Sequence, residues 1–339
     1  MKERGRVIQA FEIFLNRREA GAVISIVFLF TLFTLKNPAF LSLPVIQTIL
    51  VNGAWIGMLA TGQSYALASG EFDLSVESVF GLAALLFVVF TESISIYASF
   101  LLATLIAAGF GFINGLLVTK AEINSLIATL GMLFFGRGII YLISRGFIRS
   151  LSTSTKSSFL PQMLAGAIGG GWSALIIWMI VLAIVFEIIL FYTKFGNHVL
   201  AVGSNAESSL SRGISPGLTK WKVFLLCSTI AGFAGMTAAS ELISVSADLG
   251  NGMALKSIAA CVIGGCSLRG GRTSVIGAVL GAIFLSSLSS GLILMGAPPY
   301  SFISFVGLAL IGGVMLNKFL LPFLRKKTLP LNQVSDFKS

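Results

Sequence analysis

The polar stretch FGNHVLAVGSNAESSLSRGISPG, residues 195–217, decides how the rest of the chain is arranged, because a long apolar segment flanks it on each side. Most other gaps between apolar segments are shorter. The stretch is long enough for a turn of helix with its caps. Ser204 or Asn205 is the candidate N-cap, Gly213 the stop, and Pro216 follows just beyond. We therefore predict a helix-sized island outside the bilayer that contacts another molecule.

The composition excludes a soluble domain. The chain has 339 residues, of which 56% are hydrophobic and only 11% are charged, whereas soluble domains carry about 25% charged residues. Its apolar runs approach the ~20 residues that cross ~30 Å of hydrocarbon. They do not alternate as the strands of a β-barrel would, and lipid leaves backbone groups unsatisfied outside helices. The predicted fold class is an all-α, polytopic transmembrane bundle.

Ten apolar segments are candidate spans, and the eighth is short and Gly-rich, so we interpret it as a half-span or re-entrant segment. Gly111-x-x-x-Gly115 is a small-residue pattern typical of close helix packing. Ser78-Val-Phe-Gly81 echoes Ser274-Val-Ile-Gly277, which makes an internal repeat a candidate. The ten segments cover residues 21–35, 44–69, 79–91, 96–118, 125–144, 172–193, 221–242, 257–268, 274–295 and 298–316.

The net charge of +10 is explained by basic residues that orient the spans, without any nucleic-acid partner. With ten spans and both termini in the cytoplasm, most Lys and Arg residues fall inside. We therefore predict a cytoplasmic amphipathic segment (residues 1–20) on the lipid surface, a transmembrane domain (21–317) and a cytoplasmic basic tail (318–339). The island at residues 195–217 is then cytoplasmic. The basic residues that fall outside are Lys36, Arg145, Arg149, Lys156 and Lys256.

No catalytic or cofactor motif appears. The chain has no G-x-x-x-x-G-K-[ST] pattern for binding ATP, and its three cysteines lie in apolar segments. The one histidine, His198, is interpreted as a surface or capping residue, so we predict no metal and no cofactor. An intramembrane enzyme would need a cluster of His, Asp or Glu. A stand-alone secondary carrier or channel stays open as the alternative, although no span carries a central Asp/Glu pair.

Residues 70–78, GEFDLSVES, form the most acidic connection between two apolar segments. In one interpretation, Glu71, Asp73, Ser75 and Thr129 line the solute path and bind solute hydroxyls. In the other, Asp73 and Ser75 cap the following helix at a cytoplasmic turn. Both interpretations stay open on the sequence.

Two further charges lie in predicted spans. Arg137 is expected to form an ion pair with a carboxylate on another span, because an isolated charge in the membrane is costly. Glu187 lies near the cytoplasmic end of its span and is placed to snorkel into the interface.

Several segments together resemble the permease subunits of ribose-type ABC importers, which carry sugars, polyols and autoinducer-2 in bacteria. Together they cover most of residues 37–317. The matching segments are NPAFLS (37–42), ASGEFDLSVES (68–78), IATLGMLFFGRG (127–138), FGNHVLAVGSNAESSLSRGI (195–214) and IAACVIGGCSLRGGRTSVIGAVLGA (258–282).

The resemblance implies a bacterial inner-membrane subunit that pairs with a second permease copy to form the pore. It also implies a separate ATPase on the cytoplasmic side and a substrate-binding protein outside. Gly203, Asn205, Glu207 and Gly213 would then belong to the segment that couples to the ATPase, with Asn205 capping a helix and Glu207 facing the ATPase.

The chain departs from the family pattern at two places. Glu71 and Glu77 stand where the family has glycines beside the acidic turn, which bears on which solute passes. After Glu207, Ser208-Ser209-Leu210-Ser211 replaces the usual Ala-Ala-Arg-Leu. We expect a co-adapted ATPase surface there.

Overall fold

The computed structural model describes residues 19–298 and 301–315. They form a bundle of apolar helices with one antiparallel pair of two-residue strands. Most of the predicted N-terminal segment and the whole basic tail therefore lie outside the described residues. The all-α bundle is confirmed.

The helices are numbered here in chain order. They are α1 (Ala20–Lys36), α2 (Leu43–Ala68), α3 (Val76–Phe90), α4 (Ile96–Thr119), α5 (Ser125–Ser144), α6 (Thr153–Lys156), α7 (Phe159–Ala165), α8 (Ala174–Tyr192), α9 (Lys194–Ser204), α10 (Ala206–Ser211), α11 (Pro216–Leu242), α12 (Met253–Ile263), α13 (Val275–Leu294) and α14 (Ser301–Met315), with a 3-10 turn at Pro38–Leu41. The strands are β1 (Arg149–Ser150) and β2 (Ser244–Val245), in the register Arg149↔Val245.

Each of the ten predicted segments contains a helix. Among the described residues, six of these helices are long and apolar enough to cross a membrane. They are α2, α4, α5, α8, α11 and α13. Helices α1, α3 and α12 are shorter and apolar, and α14 has 15 residues. The structure thus supports a multi-pass bundle, while ten complete crossings stay a prediction.

Helix α3 begins part of the way along the bundle, because the chain before it runs extended beside α5. Phe72 N donates to Ser125 Oγ at 3.3 Å, and Leu74 N donates to Thr129 Oγ1 at 3.1 Å. Glu77, the second residue of α3, contacts Arg137. Arg137 lies about 18 Å along α5 from Ser125. The connection, residues 69–75, therefore reaches well into the depth of the bundle.

The helix packing has an internal pattern. Helix α11 packs along α3 and α4, and α2 packs along α12 and α13. Similarly, α3 contacts α4 and α5 as α12 contacts α13 and α14. If α2, α3, α4 and α5 are matched in order with α11, α12, α13 and α14, each contact in the first set has its counterpart in the second. This correspondence supports an internal repeat. In this exchange α3 corresponds to α12, so the short echo between Ser78 in α3 and Ser274 at the start of α13 does not align with it.

The core of the bundle lies around α11, most of which is buried. The predicted glycine pattern is confirmed as a packing motif. A Cβ added to Gly111 would come within 2.8 Å of Leu225 Cα, and one added to Gly115 would come within 3.1 Å of Trp221 Cα. Only glycine permits this approach of α4 to α11.

Candidate functional site

Residues 195–217, named the coupling segment here after the role that the family resemblance implies, fold as two short helices rather than one. Helix α9 ends at Ser204, and the Asn205 side chain caps α10 by accepting a hydrogen bond from Ser208 N at 2.8 Å. Of the two predicted N-cap candidates, Ser204 and Asn205, the structure therefore selects Asn205. Gly213 follows α10 with φ +79°, a left-handed conformation that suits glycine at a helix stop.

One face of the coupling segment is open to solvent. The residues from Ser204 to Ser208 and from Leu210 to Gly213 are exposed. They include the Glu207 carboxylate and Leu210, whose apolar side chain is 62% exposed. The patch also holds the exposed Arg212, so it carries both charges beside an apolar side chain. Such a surface on a connection between helices is one that a partner protein can cover.

The opposite side of the coupling segment lies directly on the bundle at Gly203. A Cβ added to Gly203 would clash with the carbonyl oxygen of Ala68, the last residue of α2. Gly271 N donates to the same carbonyl oxygen at 2.9 Å, and Ser204 lies against Gly271. The segment therefore touches the end of α2 and the turn before α13 at one point.

A buried tyrosine anchors the start of the coupling segment. Tyr65 Oη donates to the carbonyl oxygen of Phe186 at 2.6 Å. Its ring stacks on Phe195 with the centroids 6.0 Å apart and the planes at 16°. Stacked aromatic pairs contribute about 0.5–1.5 kcal/mol beyond the area that they bury. Tyr65 thereby ties α2, α8 and α9 together.

Glu187 does not snorkel, so that prediction is wrong. From α8, its Oε2 accepts hydrogen bonds from Val275 N at 2.6 Å and Ile276 N at 3.1 Å. These are the first backbone donors of α13, and a carboxylate there also interacts favourably with the helix dipole. Glu187 instead caps α13 from a neighbouring helix.

The structure brings the four candidate solute-path residues close to one connection, but it buries them. Asp73 and Ser75 have no exposed surface, and neither has Thr129. Asp73 Oδ1 accepts from Ser75 N at 3.0 Å and from Ser75 Oγ at 2.6 Å. Glu71 pairs with Lys220 of α11 at 2.5 Å. Ser75 is the N-cap residue of α3 by position, but its side chain makes no capping hydrogen bond to the helix. Asp73 and Ser75 therefore form an interior turn that leads into α3, rather than an exposed one.

A residue that the sequence did not single out completes this network. Asn114 Nδ2, on α4, donates to Ser75 Oγ at 2.7 Å, and both side chains are fully buried. The sequence could have indicated this role, because Asn114 is a lone amide within an apolar span and such a group needs an interior hydrogen-bond partner. Lys220 had no comparable signal, because basic residues also flank spans to orient them.

Arg137 forms the predicted ion pair with a carboxylate on another helix. Its NH2 group lies 3.2 Å from Glu77 Oε1, and the side chains are only 13% and 10% exposed. Its NH1 group donates to Ala247 O at 2.9 Å and to Leu249 O at 3.1 Å. Arg137 thus joins α3, α5 and the connection before α12 at one point.

In the part of the chain that the structure describes, no three His, Cys, Asp or Glu side chains gather where they could hold a metal ion. His198 is half-buried on α9.

The chain is similar to known transport proteins over most of its length. Residues 45–316 match the family model described as "Branched-chain amino acid transport system / permease component". The autoinducer 2 import system permease protein LsrC of Salmonella typhi is 33% identical over 304 residues, covering 89% of this chain and 86% of that protein.

Two further relatives have the same description. LsrC of Yersinia enterocolitica is 32% identical over 317 residues, covering 91% of this chain and 85% of that protein. LsrC of Enterobacter sp. strain 638 is 34% identical over 305 residues, covering 89% and 87%. No solved structure matches the chain.

Proposed function

The chain belongs to the family of permease components of ABC transport systems, and from this premise we propose how it works. It forms one half of the translocation pore for a sugar or sugar-like solute, and a separate ATPase subunit supplies the energy. The family model is named for branched-chain amino acids, whereas the relatives import autoinducer 2. Because those relatives align along most of the chain, autoinducer 2 is the first solute to test.

One observation carries the proposal: the coupling segment has an exposed face and an opposite face packed on the bundle. The exposed face, with Glu207 and Leu210, is the ATPase docking surface. The packed face, at Gly203, contacts the end of α2 and the turn before α13. A push on the first face must therefore displace the ends of these helices, because backbone groups at Gly203 and Ala68 leave no space between them.

Contacts inside the bundle extend this coupling toward the solute path. Helix α2 continues into residues 69–75, which the Glu71–Lys220 ion pair holds to α11. That connection leads to Glu77, whose ion pair with Arg137 holds the connection before α12. We infer that displacement of the coupling segment reaches this interior connection through α2 and residues 69–75.

We further propose ten crossings with both termini in the cytoplasm of a bacterium. The pairing of Arg149 with Val245 joins two connections that this threading places outside. The contacts among Gly203, Ala68 and Gly271 join three that it places inside. The partners are then a cytoplasmic ATPase that hydrolyses ATP, a substrate-binding protein outside, a second permease copy and membrane lipid. The relatives reported above and the contacts of the described residues give no support to the alternative of a stand-alone carrier.

The proposal is tested by reversing the charge of Glu207. The Glu207→Arg variant is expected to lose most of its binding to the ATPase subunit in a pull-down from detergent, together with ATP-driven uptake. The matched control is Glu92→Arg, which reverses an exposed charge at the other end of the bundle and should bind normally. Unchanged binding and uptake by the Glu207 variant would contradict the docking surface.

A further inference from the structure

The connection before α12, residues 246–252, has the sequence SADLGNG and is neither helical nor apolar. It starts at the end of strand β2 and ends at Gly252, the N-cap of α12. Asp248 and Asn251 within it are exposed. The segment contacts the Arg137–Glu77 ion pair through the carbonyl oxygens of Ala247 and Leu249.

This connection lies deep within the bundle. Arg137, which donates to Ala247 O and Leu249 O, is about 10 Å from the nearer end of α5. A Cβ added to Gly81 would come within 2.6 Å of Leu249 O, and Gly81 is about 14 Å from the C-terminal end of α3. For a hydrocarbon layer of about 30 Å, these depths approach the middle of the membrane.

Exposed polar groups at this depth require water or protein around them. Tyr141 Oη donates to Asp248 Oδ1 at 2.8 Å, and both side chains are exposed. Non-helical backbone and carboxylates do not face lipid tails, because nothing there satisfies their hydrogen bonds. The open side of residues 246–252 therefore faces a space that lipid does not fill.

We propose that residues 246–252 and Tyr141 line the water-filled solute path, and that Asp248 and Asn251 hydrogen-bond the hydroxyl groups of a neutral sugar-like solute. This inference rests on the proposed function and adds the place of solute contact. A carboxylate accepts hydrogen bonds from hydroxyls, and an amide both donates and accepts. The paired positive charge of Arg137 leaves Asp248 as the exposed charge of the segment, which disfavours anionic solutes.

The site differs from the one that the sequence suggested. Asp73, Ser75 and Thr129 are fully buried among α3, α4 and α5. They hold the start of α3 in place, whereas Asp248 and Asn251 are exposed residues.

The test is reaction of a cysteine at position 251 with a positively charged thiol reagent, methanethiosulfonate ethyltrimethylammonium. The transporter with its ATPase is placed in lipid nanodiscs, so that the reagent reaches both membrane faces and only lipid or protein shields a thiol. Cys227, Cys261 and Cys266 are first replaced by alanine. The chain has three cysteines, so the introduced cysteine is then its one remaining thiol.

The matched control is Ile184→Cys. Ile184 is 50% exposed on α8, about 15 Å from the start of that helix, so it lies at a similar depth on an apolar surface. We expect Asn251→Cys to react at least tenfold faster than Ile184→Cys, with equal reaction of both after unfolding in SDS. Equal rates in the nanodisc would overturn the inference, including the case in which the second permease copy covers the segment.

Uptake separates failure of this site from failure of the proposed function. Labelled autoinducer 2 is supplied with the binding protein to proteoliposomes that contain the alanine-background transporter and ATP. Uptake should occur before reagent treatment and should fall at least fivefold when Asn251→Cys carries the adduct. Uptake that continues after complete modification would overturn the solute path at this position. Absence of uptake before treatment would instead contradict the proposed function for this solute.

Discussion

Replacement of Arg137 by methionine tests whether the interior ion pair holds the bundle together at the connection before α12. Methionine keeps a long unbranched side chain and favours helix. It removes the pair with Glu77 and the donors to Ala247 O and Leu249 O. Since both charged side chains are almost wholly buried, removal of one partner leaves an uncompensated carboxylate.

The expected loss of unfolding free energy is about 4 kcal/mol, within the ~3–5 kcal/mol typical of breaking a buried ion pair from one side. The double variant Glu77→Leu, Arg137→Met removes both charges and should recover about half of this loss. The remaining ~2 kcal/mol reflects the two loop carbonyls that lose their donor.

The assay is equilibrium unfolding by SDS in mixed micelles, followed by the fluorescence of the four tryptophans. The control is Arg149→Met, because Arg149 lies 3.9 Å from Glu92 and those side chains are 38% and 54% exposed. Surface pairs of this kind contribute about 0–1 kcal/mol. The reasoning would be refuted if Arg137→Met cost no more than Arg149→Met, or if the double variant were no more stable than the single one.

Two further substitutions test other contacts. Gly203→Ala should reduce ATP-driven uptake severalfold and lower the free energy of unfolding by about 1–3 kcal/mol, because its Cβ would clash with Ala68 O and a packed core resists added volume. The control is Gly109→Ala, which has nothing within 4 Å of its Cβ and should leave uptake and stability unchanged. Similar behaviour of the two variants would count against close packing of the coupling segment on the bundle. Asn114→Leu should lower the free energy of unfolding by about 1–3 kcal/mol in the same assay, because it removes the buried donor to Ser75 Oγ. A loss below about 0.5 kcal/mol would show that this hydrogen-bond network does not hold α3 in place.

Local patterns predicted the local features well. The apolar runs located the helices. Ser204 and Asn205 were the two candidates for the N-cap, and Asn205 is the one that caps α10, because capping depends on residues only three apart. The ion pair of Arg137 was expected from the cost of an unpaired charge alone. In each case the physical cause lies in the residue type and its immediate neighbours.

Features that depend on distant parts of the chain were not predicted. Glu187 caps a helix that begins 88 residues later in the sequence, and no local pattern distinguishes that role from snorkelling. The extended course of residues 69–75 beside α5 likewise follows from long-range contacts. It places Asp73 and Ser75 in the interior, a position that neither of the two open interpretations of the acidic turn included.

The depth of residues 246–252 is a second long-range feature. Their polar composition is that of any surface turn, and their position is set by Arg137 on α5 and by the close approach of Gly81 on α3. A sequence pattern does not contain this information, because the contacting residues are more than a hundred positions away.

The most direct test of the central claim is solute uptake into liposomes with and without the ATPase subunit. The purified chain is reconstituted alone, or with the ATPase and the binding protein, and labelled autoinducer 2 is followed with ATP present. The account predicts accumulation against a gradient only when the ATPase and ATP are both supplied. Accumulation by the chain alone would contradict it.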